Sequence, residues 1–508
     1  MNSRTSISTG AIALFILLSM STQLAAQHHH YKLVDLGTLG GPASYLSNGF
    51  DGILNSQGTA VGWADTSTPD PFPLFCFNPD CFASHAFAWR NGVLTDLGTL
   101  PGGANSQAFW VSPNGLIVGN SENGQSDPLI PGFGDVHAVL WRAGKIIDLG
   151  TLEGGHESLV SAVNSLGQVV GVATNTIPDP FGFFGIQTRA FLWQNGTMHD
   201  LGTLGGPDAN AYFVNEAGQI AGISLTNDIP NLITGFPTQD PFFWEDGTMH
   251  DIGTLGGTVG LVNGFNNRGE VVGQSNLRGD LTFHPFLWTK AGGMKDLGTL
   301  GGDNGLTNWI NDAGDIVGKA DLPGPLPQNH DPVLWRHGTM IDLGTLPGDS
   351  CGNAYYVNSS GQVVGTTESR ALCLIPTGEH AFLWENDGPM VDLNALIPAG
   401  SSLDLTFAVA INNGGEIIGF GVPSGCAPAD VDVCGHAYVL IPCDAGHPGI
   451  VGCDYSLADA AALTARSSVP AANTTTTARR PLTPNENVAS WRARLARKFH
   501  IPFESPKN

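Results

Sequence analysis

Lys32-Leu33-Val34-Asp35-Leu36-Gly37-Thr38-Leu39 decides the fold, because its second half is written along the chain again and again. Asp-Leu-Gly-Thr-Leu starts at Asp35, Asp96, Asp148, Asp200, Asp296 and Asp342, changes to Asp251-Ile252-Gly253-Thr254-Leu255 once, and ends worn as Asp392-Leu393-Asn394-Ala395-Leu396. Successive starts lie 61, 52, 52, 51, 45, 46 and 50 residues apart. A period of this size marks a repeat architecture, in which each unit buries its apolar face against the next. The 508 residues are therefore expected to form mainly one stacked body rather than the three or four domains that length alone suggests.

Each unit reads as two hairpins. In one of them Ala162-Val163-Asn164 and Gln168-Val169-Val170-Gly171 flank Ser165-Leu166-Gly167. The Asn side chain closes an Asx turn and the Gly supplies the positive φ that ends it. The pattern recurs at Asn55…Gly58, Asn215…Gly218, Asn266…Gly269, Asn311…Gly314, Asn358…Gly361 and Asn412…Gly415, with Ser112…Gly115 in the second unit. The other hairpin runs Ala190-Phe191-Leu192-Trp193, turns at Asn195-Gly196, and returns through Thr197 to Asp200. Its Trp recurs at 89, 141, 193, 244, 288, 335 and 384, as expected of core between units.

Four short antiparallel strands per unit point to a β-propeller blade. The eighth unit stops at His436-Ala437-Tyr438-Val439-Leu440, without a fourth strand, whereas Tyr31–Leu39 is a fourth strand with nothing before it. An all-β, eight-bladed β-propeller over residues 31–441 follows, its last blade closed by the N-terminal strand so that no sheet edge is left open. A seven-bladed ring and a β-solenoid are the alternatives.

Composition agrees. Charged residues make up 13%, while Gly contributes 68 and Pro 33, a mixture for short strands and tight turns. The net charge of −24 opposes nucleic acid and anionic membranes as partners of the repeats. Arg4, the apolar run Ala11–Leu18 and Leu24-Ala25-Ala26 read as a signal peptide over residues 1–26, and no later segment is apolar enough to span a bilayer. The expected location is secreted, extracellular or periplasmic. In that setting the eight cysteines are expected as local disulfides, Cys76 with Cys81, Cys351 with Cys373, Cys426 with Cys434, and Cys443 with Cys453.

The openings His85-Ala86-Phe87 and His380-Ala381-Phe382, with variants His137-Ala138-Val139, His284-Pro285-Phe286 and His436-Ala437-Tyr438, join the Asp-Leu-Gly-Thr-Leu-Gly-Gly phrases in one signature. It resembles the bacterial extracellular HAF-repeat family over about residues 31–441. The resemblance implies export and a propeller, and brings no chemistry with it.

Function is harder to read. The variable insertions share a face with the Thr-Leu-Gly-Gly links, and loops on a rigid scaffold are where binding residues collect. Phe72, Phe75, Phe77 and Phe82, with Phe133, Phe181, Phe183 and Phe184, are candidates for binding a glycan, peptide or protein; they could equally fold over one another. The Asp that opens each phrase occurs once per unit, as a structural hydrogen bond does. The position filled by His85, His137, Arg189, Asp240, His284, Asp331, His380 and His436 mixes acids with bases, which a metal ring could not do. No catalytic residue, metal or cofactor is nominated. A binding module is the expected function, and a carbohydrate-active lyase or hydrolase with its cleft on the long-loop face is the alternative. His28, His29 and His30 read as a frayed terminus. Residues 442–484 read as a disulfide-bearing segment and then a flexible linker. Residues 485–503, with Trp491, Leu495 and Phe499 among arginines, read as a basic amphipathic segment suited to docking on the propeller, on a second copy or on an anionic surface.

Overall fold

The computed structural model describes residues 27–47, 52–72, 76–130, 132–182, 185–324, 329–369, 373, 380–426 and 430–459. The signal-peptide and basic-segment readings lie outside them. Among the described residues the strands form eight four-stranded antiparallel sheets, two of them joined by one parallel bridge from Gln239 to Val259, and one two-stranded ribbon. Helix among the described residues is confined to Val431–Cys434 and the 3-10 turn Leu393–Ala395.

The third unit shows the plan. Ser158–Val163, Val169–Pro178, Ile186–Gln194 and Thr197–Asp200 pair in sequence order. Asn195 and Gly196 both take positive φ, 53° and 85°, the requirement of the turn that matches strand twist in a two-residue hairpin. Between the first two strands the register slips at Val160/Ala162, and the bulge pushes the Leu159 carbonyl onto Gly171, where a Cβ would collide with it. Gly119, Gly222, Gly273, Gly318, Gly365 and Gly419 occupy the same place against Gln107, Asn210, Leu261, Leu306, Asn353 and Phe407. One glycine per unit is thus fixed by a carbonyl on the neighbouring strand.

Alternation sends every second side chain inward. Phe87, Phe191, Phe242, Phe286, Phe382 and Tyr438, each third in its His-Ala-Phe segment or the equivalent, are all fully buried. Burying each such ring contributes ~1.5–3 kcal/mol. The repeated Trp side chains fill the seams as expected: Trp89, Trp141, Trp335 and Trp384 are buried, and Trp193, Trp244 and Trp288 pack partly buried against neighbouring clusters. Trp141 Nε1 donates to the Leu97 carbonyl of the preceding unit at 2.9 Å.

Tyr31–Asp35 pairs with His436–Pro442, Tyr31 opposite Pro442 and Asp35 opposite Tyr438, and so supplies the fourth strand that the last sheet lacked. The chain is ordered one strand further out than the sequence suggested. Gln27–His29 pairs with Leu457–Asp459, and His28 is fully buried with Nδ1 2.8 Å from Glu385 Oε1. The frayed-terminus reading is therefore corrected: strand pairing satisfies this backbone and a carboxylate holds the middle imidazole. The segment expected as linker likewise begins with a paired strand. All four expected disulfides are formed.

Adjacent sheets are tied through the Asn turns. Asn164 Oδ1 accepts from the amides of Leu166 and Gln168, closing its own Asx turn. Its Nδ2 then donates across the seam to the Asn215 carbonyl at 2.9 Å. Asn215 donates likewise to Asn266, Asn266 to Asn311, Asn311 to Asn358, Asn358 to Asn412, and Asn412 to Asn55. Asn55 donates to the Ser112 carbonyl. Ser112 has no amide to give, and Asn114 Nδ2 makes that step instead, to the Ser165 carbonyl at 2.8 Å.

Candidate functional site

The Asn turns surround a central hollow of about 310 Å³. Its aromatic floor is built by Trp110, Phe213, Trp309 and Tyr356, which come from four different sheets. The centroids of Trp110, Phe213 and Trp309 lie 6.2, 6.5 and 6.5 Å apart, and Trp309 stacks on Tyr356 at 4.5 Å. Phe213 is buried, whereas Trp110, Trp309 and Tyr356 are only part-buried. The rim includes Ser56, Glu216, Asn267, Asp312, Ser359 and Asn413, each one residue past a turn Asn and each exposed.

The sequence reading passed over these residues, although a local signal was there. The floor residue always stands two before the turn Asn or Ser. Around the units that position reads Ile53, Trp110, Ala162, Phe213, Gly264, Trp309, Tyr356 and Ala410. Small residues at the third, fifth and eighth units leave the space that the large ones occupy.

Among the described residues that line the hollow there is no His, Lys, Arg or Cys, and only Glu216 and Asp312 are charged. Both carboxylates are held by the preceding unit: Glu216 accepts from the Ser165 amide at 3.1 Å, and Asp312 from the Asn267 amide and Nδ2, each at 2.9 Å. The hollow therefore presents shape, aromatic surface and negative charge.

On the opposite, long-loop face, Phe75, Phe183 and Phe184 lie outside the described residues. Phe72, Phe77, Phe82, Phe133 and Phe181 are all half-buried. The amides of Phe72 and Phe181 donate to Asp70 Oδ1 and Asp179 Oδ1, so both loops open on Asp-Pro turns.

Beneath those loops lie buried acids. Asp65 is fully buried and raised to about 9, first by burial and then by Asp80; the Tyr45 hydroxyl donates to either carboxylate, at 3.3 and 3.2 Å. Asp208 is raised to about 8 by burial and then by Asp179. Burial, followed by Asp127 and Asp135, lifts Glu157 well above the usual range. Asp65 and Asp208 so raised hold a proton at neutral pH, as a general acid does. All three are almost wholly buried, however, and a general acid must reach its substrate.

The recurring Asp and its partner position prove to be one device. His85, His137, His284 and His436 bond through Nδ1 to Asp96, Asp148, Asp296 and Asp35, and Arg189 bonds Asp200 through Nε. Each of these Asp side chains also accepts an amide two residues on, as Asp148 does from Gly150 at 2.8 Å. Where the partner is itself an acid, burial and then the facing carboxyl raise it: Asp240 to about 7 beside Asp251, and Asp331 to about 6 beside Asp342. His380 departs from the pattern and meets Asp349 at 3.0 Å.

No protein-family model and no curated protein matches the chain. Among solved structures it is similar to the β-propeller domain of the Trilobed protease from Pyrococcus furiosus, at 9% identity over 72% of this chain and 98% of that one, with a TM-score of 0.39. It is also similar to the acylaminoacyl peptidase of Pyrococcus horikoshii, at 11% identity, a TM-score of 0.41, and coverage of 75% of this chain and 58% of that one. A third likeness is to a mutant of AofleA from Arthrobotrys oligospora, at 14% identity, a TM-score of 0.29, and coverage of 62% and 88%.

Proposed function

We propose that this chain is an exported, closed eight-bladed propeller of the HAF-repeat kind that works as a binding module, with its ligand seated in the central hollow. Closure is supported by the chain of turn amides, which leaves Asn55 in one direction and returns to it from Asn412. Four disulfides fit an oxidising location outside the cytoplasm. The observation that carries the binding reading is the contrast between two environments. The carboxyls raised furthest are sealed beneath the loops, whereas the open hollow presents aromatic rings and anchored carboxylates with no nucleophile–base pair.

The test is to present the mature protein with a panel of small molecules, peptides and oligosaccharides, following retention and turnover together. The binding module retains one class and converts none. New reducing ends or unsaturated products from any saccharide would establish the carbohydrate-active alternative. Hollow and loop face are separated by Trp110→Leu, which is expected to abolish retention, and by Phe72→Ala, which is expected to preserve it.

A further inference from the structure

We propose that the central hollow selects an organic cation with an apolar body, an alkylammonium group, a ligand class that rests on the binding reading above. Three features of the site converge on it.

The first is charge. The lining carries two carboxylates, Glu216 and Asp312, and no basic side chain, in a chain of net charge −24. Field lines focus into such a concavity and raise the local concentration of cations while repelling anions.

The second is the floor. Aromatic rings carry negative faces that attract a cation within about 6 Å of the centroid. Trp110 and Trp309 are the part-exposed rings, their centroids 6.5 Å apart, so a group resting between them lies within that ~6 Å reach of both, with Phe213 buried against each. Methyl groups on the nitrogen would bury apolar surface there at the same time.

The third is the shortage of donors. An uncharged sugar or an anion needs N–H and O–H groups pointing at it, and the ring of turn amides looks like a supply. It is spent. Asn164, Asn215, Asn266, Asn358 and Asn412 each give Nδ2 both to the next unit's carbonyl and to the Gln or Glu four residues on, at 2.6–2.7 Å for the latter. Asn267 Nδ2 is committed to Asp312. With both N–H groups of these amides committed, the turn ring has little to give an anion, which suits a ligand that is positive and asks for no donor.

The experiment titrates the full mature protein with choline and with tetramethylammonium, following tryptophan fluorescence and calorimetry. The uncharged carbon isostere of choline, 3,3-dimethylbutan-1-ol, is titrated alongside, together with glucose and cellobiose. Choline is expected to bind at least about tenfold more tightly than its isostere and to weaken as salt rises. Asp312→Asn should weaken choline several-fold without lowering the melting temperature by more than a few degrees. Trp110→Leu should remove binding, with Trp110→Phe restoring part of it should the leucine variant fold poorly. Equal binding of choline and the isostere, or preference for a sugar lost in Trp110→Leu, would overturn the cation and leave the binding module standing. Retention of a ligand unaffected by Trp110→Leu would overturn the hollow itself, and silence from every probe would overturn the cation.

Discussion

Asn412 donates its side-chain amide to the backbone carbonyl of Asn55, 3.1 Å away in space and 357 positions earlier in the chain. The same Asn accepts the amides of Gly414 and Glu416, so one side chain both shapes a turn and joins the last sheet to the first. Removing it strands two turn amides, each costing about 1–3 kcal/mol when unsatisfied, and leaves the Asn55 carbonyl with the Gly58 amide alone. Asn412→Ala is expected to destabilise by roughly 2–4 kcal/mol in denaturant unfolding. Asn412→Asp, which keeps the acceptor but loses the donor, should fall between. The seam at Ser112 gives an internal control. Asn114→Ala is expected to cost about 1 kcal/mol, because there Asn114 makes the crossing bond while Ser112 still caps the turn. Equal losses at the two seams would contradict the division of labour.

The N-terminal clasp carries a second prediction. Tyr31–Asp35 closes the last sheet, and Gln27–His29 adds a ribbon outside it in which His28 meets Glu385. Deleting residues 27–30 should remove the ribbon and the buried imidazole, costing about 1–3 kcal/mol. Extending the deletion through Asp35 should strip a ladder and uncover Tyr438 and Leu440, both fully buried, with loss of cooperative unfolding. Cleavage after Ala26 would leave Gln27 as the first residue, at the start of the ribbon. Mass spectrometry of the exported chain reads this directly, and a start beyond Tyr31 is incompatible with the closing strand.

What could be read from the sequence, and what could not, divides by distance along the chain. The Asx turns, the Asn195-Gly196 hairpin and the disulfides are local, between 2 and 22 positions, and their residue types declare them. The missing strand of the last unit was legible because a repeat makes a vacancy visible. The crossing amide of Asn164 was not, since its partner lies 51 positions on and nothing in Asn-x-x-Gly marks a second task. The hollow was missed for a related reason. Trp110 and Trp309 look like ordinary strand residues until sheets 199 positions apart bring them within 6.5 Å. In the long loops the amides of Phe72 and Phe181 bond Asp70 and Asp179 two positions back, a local turn that the Asp-Pro-Phe spelling itself carries.

A third prediction concerns the bulge glycines. A Cβ on Gly222 would collide with the Asn210 carbonyl and with the Phe242 ring, one rigid by its ladder and the other packed at the centre of its sheet. Neither can move aside without breaking the register between Ala209–Val214 and Ile220–Leu225. Gly222→Ala should therefore cost about 2–4 kcal/mol, well beyond the usual effect of adding one methyl group to a strand. Gly247 is the comparison, since no atom lies near its missing Cβ and only its φ of 82° opposes a side chain. Gly247→Asn should be nearly neutral, Asn tolerating that conformation better than most residues. A Gly222→Ala protein that melts with the parent would show that the bulge relaxes.

The fourth prediction sets the pH range of the fold. Asp208 at about 8 and Asp65 at about 9 are raised by burial first and by Asp179 and Asp80 second, so the folded chain keeps protons that the unfolded chain has released. Their stabilisation is complete below an ordinary carboxylate pKa of about 4 and drains away as pH climbs toward the raised values. Asp148 works in the other direction: burial pushes it up, but the His137 bond, the Gly150 amide and the His137 charge together bring it below the usual range. Its contribution is present above about pH 4 and is lost as pH falls through the lowered value. Melting temperature should thus decline from about pH 6 to about pH 9, by an amount corresponding to a few kcal/mol. Asp208→Asn separates the sources. An amide beside Asp179 cannot ionise, so the variant should lose part of the alkaline decline while keeping the acid limb. If its alkaline slope equals the parent's, ionisation of the Asp179–Asp208 pair is not what limits the fold at high pH. Asp65→Asn, at the Asp80 contact, should likewise lose part of the alkaline decline while keeping the acid limb.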